Sequence, residues 1–421
     1  MKNLFPYRSL SRTVSRIGRT VLLAIALTAV GCTSFNDAHP YDADLLTLEI
    51  ASIYPVGYES AVQSGIEVKA TEITNGNAYT ARMDAAGRVS FRIPRGIYRI
   101  AVSDRREDAI FNGALEEVRL TGEGPQRLEL PLFRSVPGTL VIKEIYCGGC
   151  PMTPATGNLQ NDQYVILHNN DNRTQYLDGL CFGIVAPSAS GANNNWVTTV
   201  DGELRFQEFA PVFECVWQFQ GTGSDFPLAP GEDAVIAIRG AIDFTQDFSL
   251  SVDLNKPEYF ATFSRLHFEN EKLNLSPGDQ IQPSHLLQVI KKTGVSKAYS
   301  LAINSPAIII FRPEEGFDFT AYLDNDDACV ATEPGGSAKC MKVPWAWILD
   351  GVEIFYSTNN RKRLMTEIDA GAFPFSVTFQ CHTIHRKLDE TATAANGYPI
   401  YVDTNNSSVD FYERPTQSLN D

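Results

Sequence analysis

The chain predicts a mainly β protein of two or three domains behind an N-terminal export segment, which the resemblances given below make two β-sandwiches. Three observations carry this fold class. From Leu45 onward short apolar or alternating runs succeed one another, Gly, Pro, Asn and Asp punctuate them, and long helical periodicity is scarce. Beyond the first 31 residues about 390 remain, enough for two or three separate cores.

Residues 45–136 form the first expected domain. Alternation is clear at Ile66, Val68 and Ala70, at Val89, Phe91 and Ile93, and at Ile100 and Val102. One face of each strand is therefore apolar, as a sandwich layer requires. Asn75-Gly76 and Ala86-Gly87 supply tight turns, and Pro94-Arg95-Gly96 predicts a hairpin before the strand around Tyr98. Val136-Pro137-Gly138 is the expected boundary, and residues 137–421 form the second domain, with a long insertion around 243–301. There Pro230-Gly231 sets a turn before a buried strand through Val235, Ile236 and Ile238, while "DTNNSS" at 403–408 offers Asp and Asn side chains to turn backbone groups.

Residues 1–31 have the pattern of a signal peptide. Lys2, Arg8, Arg12, Arg16 and Arg19, with no acid among them, precede an apolar run at 21–30 that is too short to span a bilayer. Leu27, Thr28, Ala29, Val30 and Gly31 before Cys32 resemble a bacterial lipobox, which implies an acylated Cys32 and a lipidated tether over 32–44. Ordinary cleavage nearby, with Cys32 left as a thiol, is the alternative. Acyl chains anchor a protein without spanning the membrane, each buried methylene contributing about 0.8 kcal/mol. The expected location is the bacterial outer membrane, periplasmic or surface-exposed.

The formal charge is −15, and loss of residues 1–31 deepens it to −20 because five basic groups and no acidic one depart. No Lys/Arg-rich block interrupts this balance. It repels phosphate backbones, so nucleic acid is excluded as a partner.

Residues 45–133 resemble the carboxypeptidase regulatory-like, transthyretin-like seven-stranded sandwich. The resemblance rests on Met83-Asp84-Ala85-Ala86-Gly87 through Phe91, then Pro94, Gly96, Tyr98 and Val102. It implies a spacer or binding module without catalytic residues. Residues 139–412 resemble the lamin-tail β-sandwich at Asn169 and Asn170, at Leu177, Asp178 and Gly179, at Leu228, Pro230, Gly231 and Glu232, and from Asp403 through Phe411. Together with the lipobox, these look like a Bacteroidota lipoprotein family known as domain of unknown function 4876. That resemblance implies a location and a fold, and brings no site.

Beyond Cys32 stand Cys147, Cys150, Cys181, Cys215, Cys329, Cys340 and Cys381. In an oxidising, exported setting most are expected to be paired. Cys329 with Cys340, bracketing "CVATEPGGSAKC", is the first expected disulfide, and Cys181 with Cys215 the next. Cys147 and Cys150 either pair with each other or each reach a distant partner, which leaves Cys381 as the odd thiol. For Cys147-Gly-Gly-Cys150, Pro151 stands where haem attachment needs His, and no crossover helix follows to activate a dithiol. A structural disulfide or loop pair is favoured over half a metal site or a redox pair.

Cys381, His382 and His385 have metal-like spacing, but on a strand the two histidines face opposite sides, so surface histidines are expected. Asp324, Asp326 and Asp327 suggest surface calcium, yet Cys329 and Gly335 stand where an EF-hand needs Gly and Glu. No G-x-S-x-G occurs, and His39, His168, His267 and His285 suggest no triad. No catalytic, cofactor or metal residue is therefore assigned. Among Trp196, Trp217, Trp345 and Trp347, only Trp196, in an Asn-rich loop, is expected to be exposed. The functional expectation is a non-catalytic binding or assembly module whose partner is an outer-membrane transporter or an extracellular ligand. The alternatives are an extracellular polymer hydrolase, acting through the insertion or the Cys329 loop, and a metal-binding lipoprotein.

Overall fold

A computed structural model describes residues 45–421 except 107–108, 123, 201–202, 334 and 358–359. The expected signal peptide, Cys32 and the expected tether lie outside the described residues. The fold is mainly β, as expected, with its strands gathered into facing sheets and, among the described residues, only short helices.

In the first sandwich a three-stranded sheet runs Arg88–Ile93, Leu46–Ile53, Gln126–Pro131. It faces a five-stranded sheet in the order Ala78–Arg82, Glu67–Glu72, Gly96–Arg105, Ile110–Leu120, Phe133–Ser135. That makes eight strands rather than seven, the short Phe133–Ser135 being the addition. Leu48, Ile50, Val89 and Phe91 meet Val68, Ala70, Tyr98, Ile100 and Val118 between the sheets, so the alternation in the sequence is the inward face of each layer.

Pro94-Arg95-Gly96 does not make a hairpin. It carries the chain from one sheet to the other, since Arg88–Ile93 pairs with Leu46–Ile53 whereas Gly96–Arg105 pairs with Glu67–Glu72 and Ile110–Leu120. The crossing is locked by Tyr98, whose buried hydroxyl donates back to the Pro94 carbonyl at 2.8 Å. A Cβ at Gly96 would stand 3.0 Å from Glu72 Cγ and 3.2 Å from Tyr98 Cε2, a tight approach that glycine relieves. This gives the Pro94, Gly96 and Tyr98 spacing a physical reason. Tyr98→Phe is expected to lower stability by about 1 kcal/mol. Urea unfolding measures it, and an unchanged midpoint would mean that the hydroxyl does not lock the corner.

The second sandwich faces two larger sheets. One runs Phe260–Ala261, Asp233–Ala237, Tyr164–Asn169, Leu140–Tyr146, Thr383–Arg386, Phe411–Arg414. The other runs Cys329–Ala331, Lys339–Pro344, Phe209–Gln218, Cys181–Val185, Ala307–Phe311, Ile348–Phe355, Phe373–Pro374, with Gln288–Lys292 also pairing with Phe209–Gln218. Ile142, Val165, Phe182, Trp217, Ile236, Ile308 and Ile354 fill the space between them. Both outer faces are covered as well. Phe244, Val252, Leu254 and Ile281 from the insertion lie over Tyr164, Ile166 and Val235, while Phe317, Phe319 and Trp347 cover the far side of the other sheet. Strands such as Ala307–Phe311 are therefore buried at every residue and lack alternation.

The motif residues of the second region tie distant segments together. Asn170 exchanges two 2.8 Å hydrogen bonds with the Tyr401 backbone, as a strand partner would. Asp178 accepts from Gly223, Asp225 and Phe226 N–H; burial pulls its pKa up, but these donors together hold it below the usual carboxylate range. At the closing motif, buried Arg386 donates to Asp350 Oδ2 at 2.6 Å, to Asp403 Oδ1 at 3.0 Å and to the Ile142 carbonyl at 2.8 Å. Asp410 Oδ2 lies 3.6 Å away and also accepts from Thr404 N–H. One cation thus faces three carboxylates.

Candidate functional site

The two sandwiches frame a cleft of about 620 Å³. Its floor comes from the first. Between Tyr98 and Ile100 the ladder shifts register, so that Glu116 and Glu117 both stand opposite Arg99. That bulge turns the two acids and the arginine into the cleft, where Arg99 Nε donates to Glu116 Oε2 and its guanidinium lies over the Phe355 ring, 4.7 Å from the centroid. Arg119 and Glu117 form a looser pair at the rim, 3.7 Å apart.

The walls come from the second sandwich. One is the hairpin of Val197–Val200 and Glu203–Phe206, whose second strand lies against Ile110–Leu120. The other is the loop after Ile348–Phe355. Here Arg361 N–H donates to the Ser190 carbonyl at 3.1 Å, Asn194 Nδ2 donates to the Lys362 carbonyl at 2.9 Å, and buried Lys362 Nζ donates to the Asp369 and Gly371 carbonyls. Asn360 Oδ1 accepts from Ser357 Oγ at 3.2 Å.

Two polar atoms in this well-tied setting have no hydrogen-bond partner among the described residues, Glu116 Oε1 and Asn360 Nδ2. Glu116 is 6% exposed and Asn360 7%, and Arg99, which approaches the Asn360 carbonyl at 3.5 Å, lies between their segments. One atom accepts and the other donates. Leaving a buried polar group unsatisfied costs about 1–3 kcal/mol, so each favours a partner, and a small side-chain movement toward the cleft would let a ligand supply it.

None of these residues stood out in the sequence. Arg99 and Glu116 fall in the module expected to be a spacer. The signals that could have found them are the acid pair inside the alternating strand "ALEEVRL" and the short basic run Arg361-Lys362-Arg363, two of whose members are buried.

The residues that were singled out lie elsewhere. All seven cysteines of the described residues are thiols. Cys181 and Cys215 do not pair, because they point to opposite faces of one sheet, Cys181 outward and Cys215 into the central core. Cys329 and Cys340 are on adjacent strands, but Cys329 stands opposite Met341 and Cys340 opposite Val330, so the one-residue offset puts the sulfurs on opposite faces. Cys147 enters the central core and Cys150 the outer one, so they face apart too. Trp196 is buried, packed with Ala186 and Cys340, not exposed.

Only Thr383–Arg386 of the segment around Cys381 is a strand. His382 Nδ1 bonds Glu413 Oε1 at 2.6 Å, whereas His385 is buried, with Nε2 3.6 Å from Glu144, so it is no surface histidine. Asp324, Asp326 and Asp327 sit exposed around the helix Phe319–Leu323 and the turn that follows it. No group of three or more metal-ligating side chains gathers among the described residues.

Residues 229–418 match the family described as protein of unknown function (DUF4876). A crystal structure of a DUF4876 family protein from Bacteroides thetaiotaomicron is similar at TM-score 0.53 and 25% identity, covering 87% of this chain and 94% of that one. A putative polysaccharide binding protein from the same organism reaches TM-score 0.18 at 13% identity over 45% of this chain and 70% of that one. A streptococcal ancillary pilin reaches 0.17 at 11% identity over 45% and 51%. Scores that low carry no argument. No curated protein matches the chain. The matched residues and the likeness to the Bacteroides structure agree, and the chain is similar to DUF4876 family proteins.

Proposed function

We propose that the protein is a lipid-anchored binding module of the bacterial outer membrane, which takes a hydroxyl-rich ligand, an extracellular glycan, in the cleft between its sandwiches. The observation that carries the reading is the pair of unsatisfied atoms, Glu116 Oε1 and Asn360 Nδ2, held in a cleft of about 620 Å³. A sugar hydroxyl both donates and accepts, and a volume in this range at a junction of domains suits a small ligand. Location rests on the signal peptide and the lipobox-like Cys32. No helix among the described residues is long and apolar enough to cross a membrane.

Binding is favoured over hydrolysis because Glu116 and Glu117 come from one strand and each has an arginine beside it. A glycosidase needs two carboxyl groups across the scissile bond, one of them kept as an acid. A glycan array with the full chain tests the reading. Saturable binding without product is expected, and Asn360→Ala should weaken it about tenfold, for one lost hydrogen bond to an otherwise unpaired group. Release of shorter sugars would favour the hydrolase, and an array without binding would sink the glycan assignment. Cys32→Ala should shift the protein from the membrane to the soluble fraction, and unchanged fractionation would remove the anchor.

A further inference from the structure

Cys381, set aside in the sequence as the odd thiol, has a neighbour. Its N–H donates to the Gly149 carbonyl at 3.1 Å, and Phe379 N–H donates to the Gly148 carbonyl at 2.8 Å. The segment therefore lies one hydrogen-bonded step from "CGGC", with Cys381 bonded to the residue that precedes Cys150. Cys150 belongs to the outer apolar cluster, and Cys381 packs against that same cluster. Phe379 and Cys381 both hold left-handed backbone, at φ 56° and 65°, an arrangement that brings their two N–H groups onto the two carbonyls. The second glycine of the motif leaves room for this segment, since a Cβ at Gly149 would stand 3.1 Å from Phe379 Cδ1 and 2.1 Å from the Leu159 carbonyl oxygen.

We propose that Cys150 and Cys381 form a disulfide that staples the loop after Leu140–Tyr146 to the segment leading into Thr383–Arg386. Cys147 is not the partner, because it faces the central core and lies 3.6 Å from the Ile303 carbonyl. In the reduced state the Cys150 thiol donates to Asp162 Oδ2 at 3.3 Å; on oxidation Asp162 keeps Ser251 Oγ at 2.7 Å and the Tyr146 hydroxyl at 3.0 Å. Cys381 lines an open surface hollow of about 440 Å³ with Pro151, Leu250 and Gln417, so an oxidant reaches it first.

The oxidant is a thiol–disulfide exchange partner of the exported compartment. Cys381, as thiolate, attacks one sulfur of that disulfide and expels a thiolate. Cys150 then loses its proton, attacks Cys381 Sγ in the mixed disulfide and expels the second thiolate. Two protons leave the chain and two electrons reduce the partner to two thiols. Burial pushes both cysteines above the ordinary thiol range, so the folded pair is a poor nucleophile and the bond is structural rather than catalytic.

The test uses the full chain, secreted into an oxidising compartment or refolded with oxidised glutathione, then unfolded without reductant, alkylated and digested. Mass spectrometry is expected to find Cys150 and Cys381 protected in one linked peptide pair that reductant splits. Cys381→Ser should restore alkylation of Cys150, keep the β-sheet circular dichroism, and lower the unfolding midpoint to that of the reduced wild type. Full alkylation of both residues, or a link from Cys150 to Cys147, overturns the proposal.

Discussion

Replacing Arg386 with methionine is expected to lower stability by about 3–5 kcal/mol near pH 8, because it leaves a buried carboxylate group without the cation that pairs with it. Arg386 is 1% exposed and faces Asp350, Asp403 and Asp410, themselves at most 3% exposed. A single guanidinium neutralises one carboxylate, so the others hold protons more tightly than they would in water. Burial pushes Asp350 and Asp410 up to about 7, against the pull of Arg386. Carboxylates raised in this way contribute stability that is fully present below their unfolded value, about 3.9, and is lost as pH rises through about 7. Wild-type protein should accordingly resist urea better at pH 5.5 than at pH 8. In Arg386→Met the carboxylates are raised further, so the gain on acidification should be larger and the deficit relative to wild type smaller at pH 5.5. Equal deficits at both pH values would falsify the picture of three carboxylates sharing one cation.

That cage shows where the sequence was legible and where it stopped. "DTNNSSVDF" is recognisable because Asp and Asn satisfy turn backbone locally, and Thr404 and Ser407 do donate backbone N–H groups to buried aspartates. Its partner Arg386 and the third carboxylate, Asp350, come from other strands, and no local pattern joins them. The alternating strands of the first sandwich were likewise readable from single segments. The path at Pro94 was not, because a turn that continues in the same sheet and one that changes sheets share the same letters; the difference lies in which strand each side pairs with. The cysteines were misjudged for a related reason. Spacing along the chain says how close two sulfurs can come, but the side each faces depends on register, and an offset of one residue separates Cys329 from Cys340. The cleft was the least legible feature, since Arg99 and Asn360 meet across 261 residues of sequence. Its members are ordinary surface-type residues until the fold buries them.

Arg363→Ala is expected to be comparably damaging, at about 3–5 kcal/mol, and to reach the cleft. Arg363 is 1% exposed. It bonds Glu353 Oε1 through Nε at 2.8 Å and Nη2 at 2.7 Å, and it donates to the carbonyls of Pro187 at 3.0 Å and Ser305 at 2.9 Å. Glu353, fully buried, accepts in turn from the N–H groups of Arg363 and Leu364. Alanine would strand that carboxylate and at least two carbonyls, and would leave a void where the guanidinium had packed. Lysine at this position keeps the charge but loses the planar fork, so Arg363→Lys should fall between wild type and alanine. The functional consequence follows from chain connectivity. Lys362 and Asn360 are held on the cleft wall by the same loop, whose path is set by Arg363 on one side and by the Ser190 and Asn194 contacts on the other. Hydrogen exchange over 360–364 should therefore accelerate in Arg363→Ala even at a temperature where the fold persists, and glycan affinity should drop with it. Faster exchange with full affinity would place the ligand elsewhere, whereas unchanged exchange would show that the loop is fixed without Arg363.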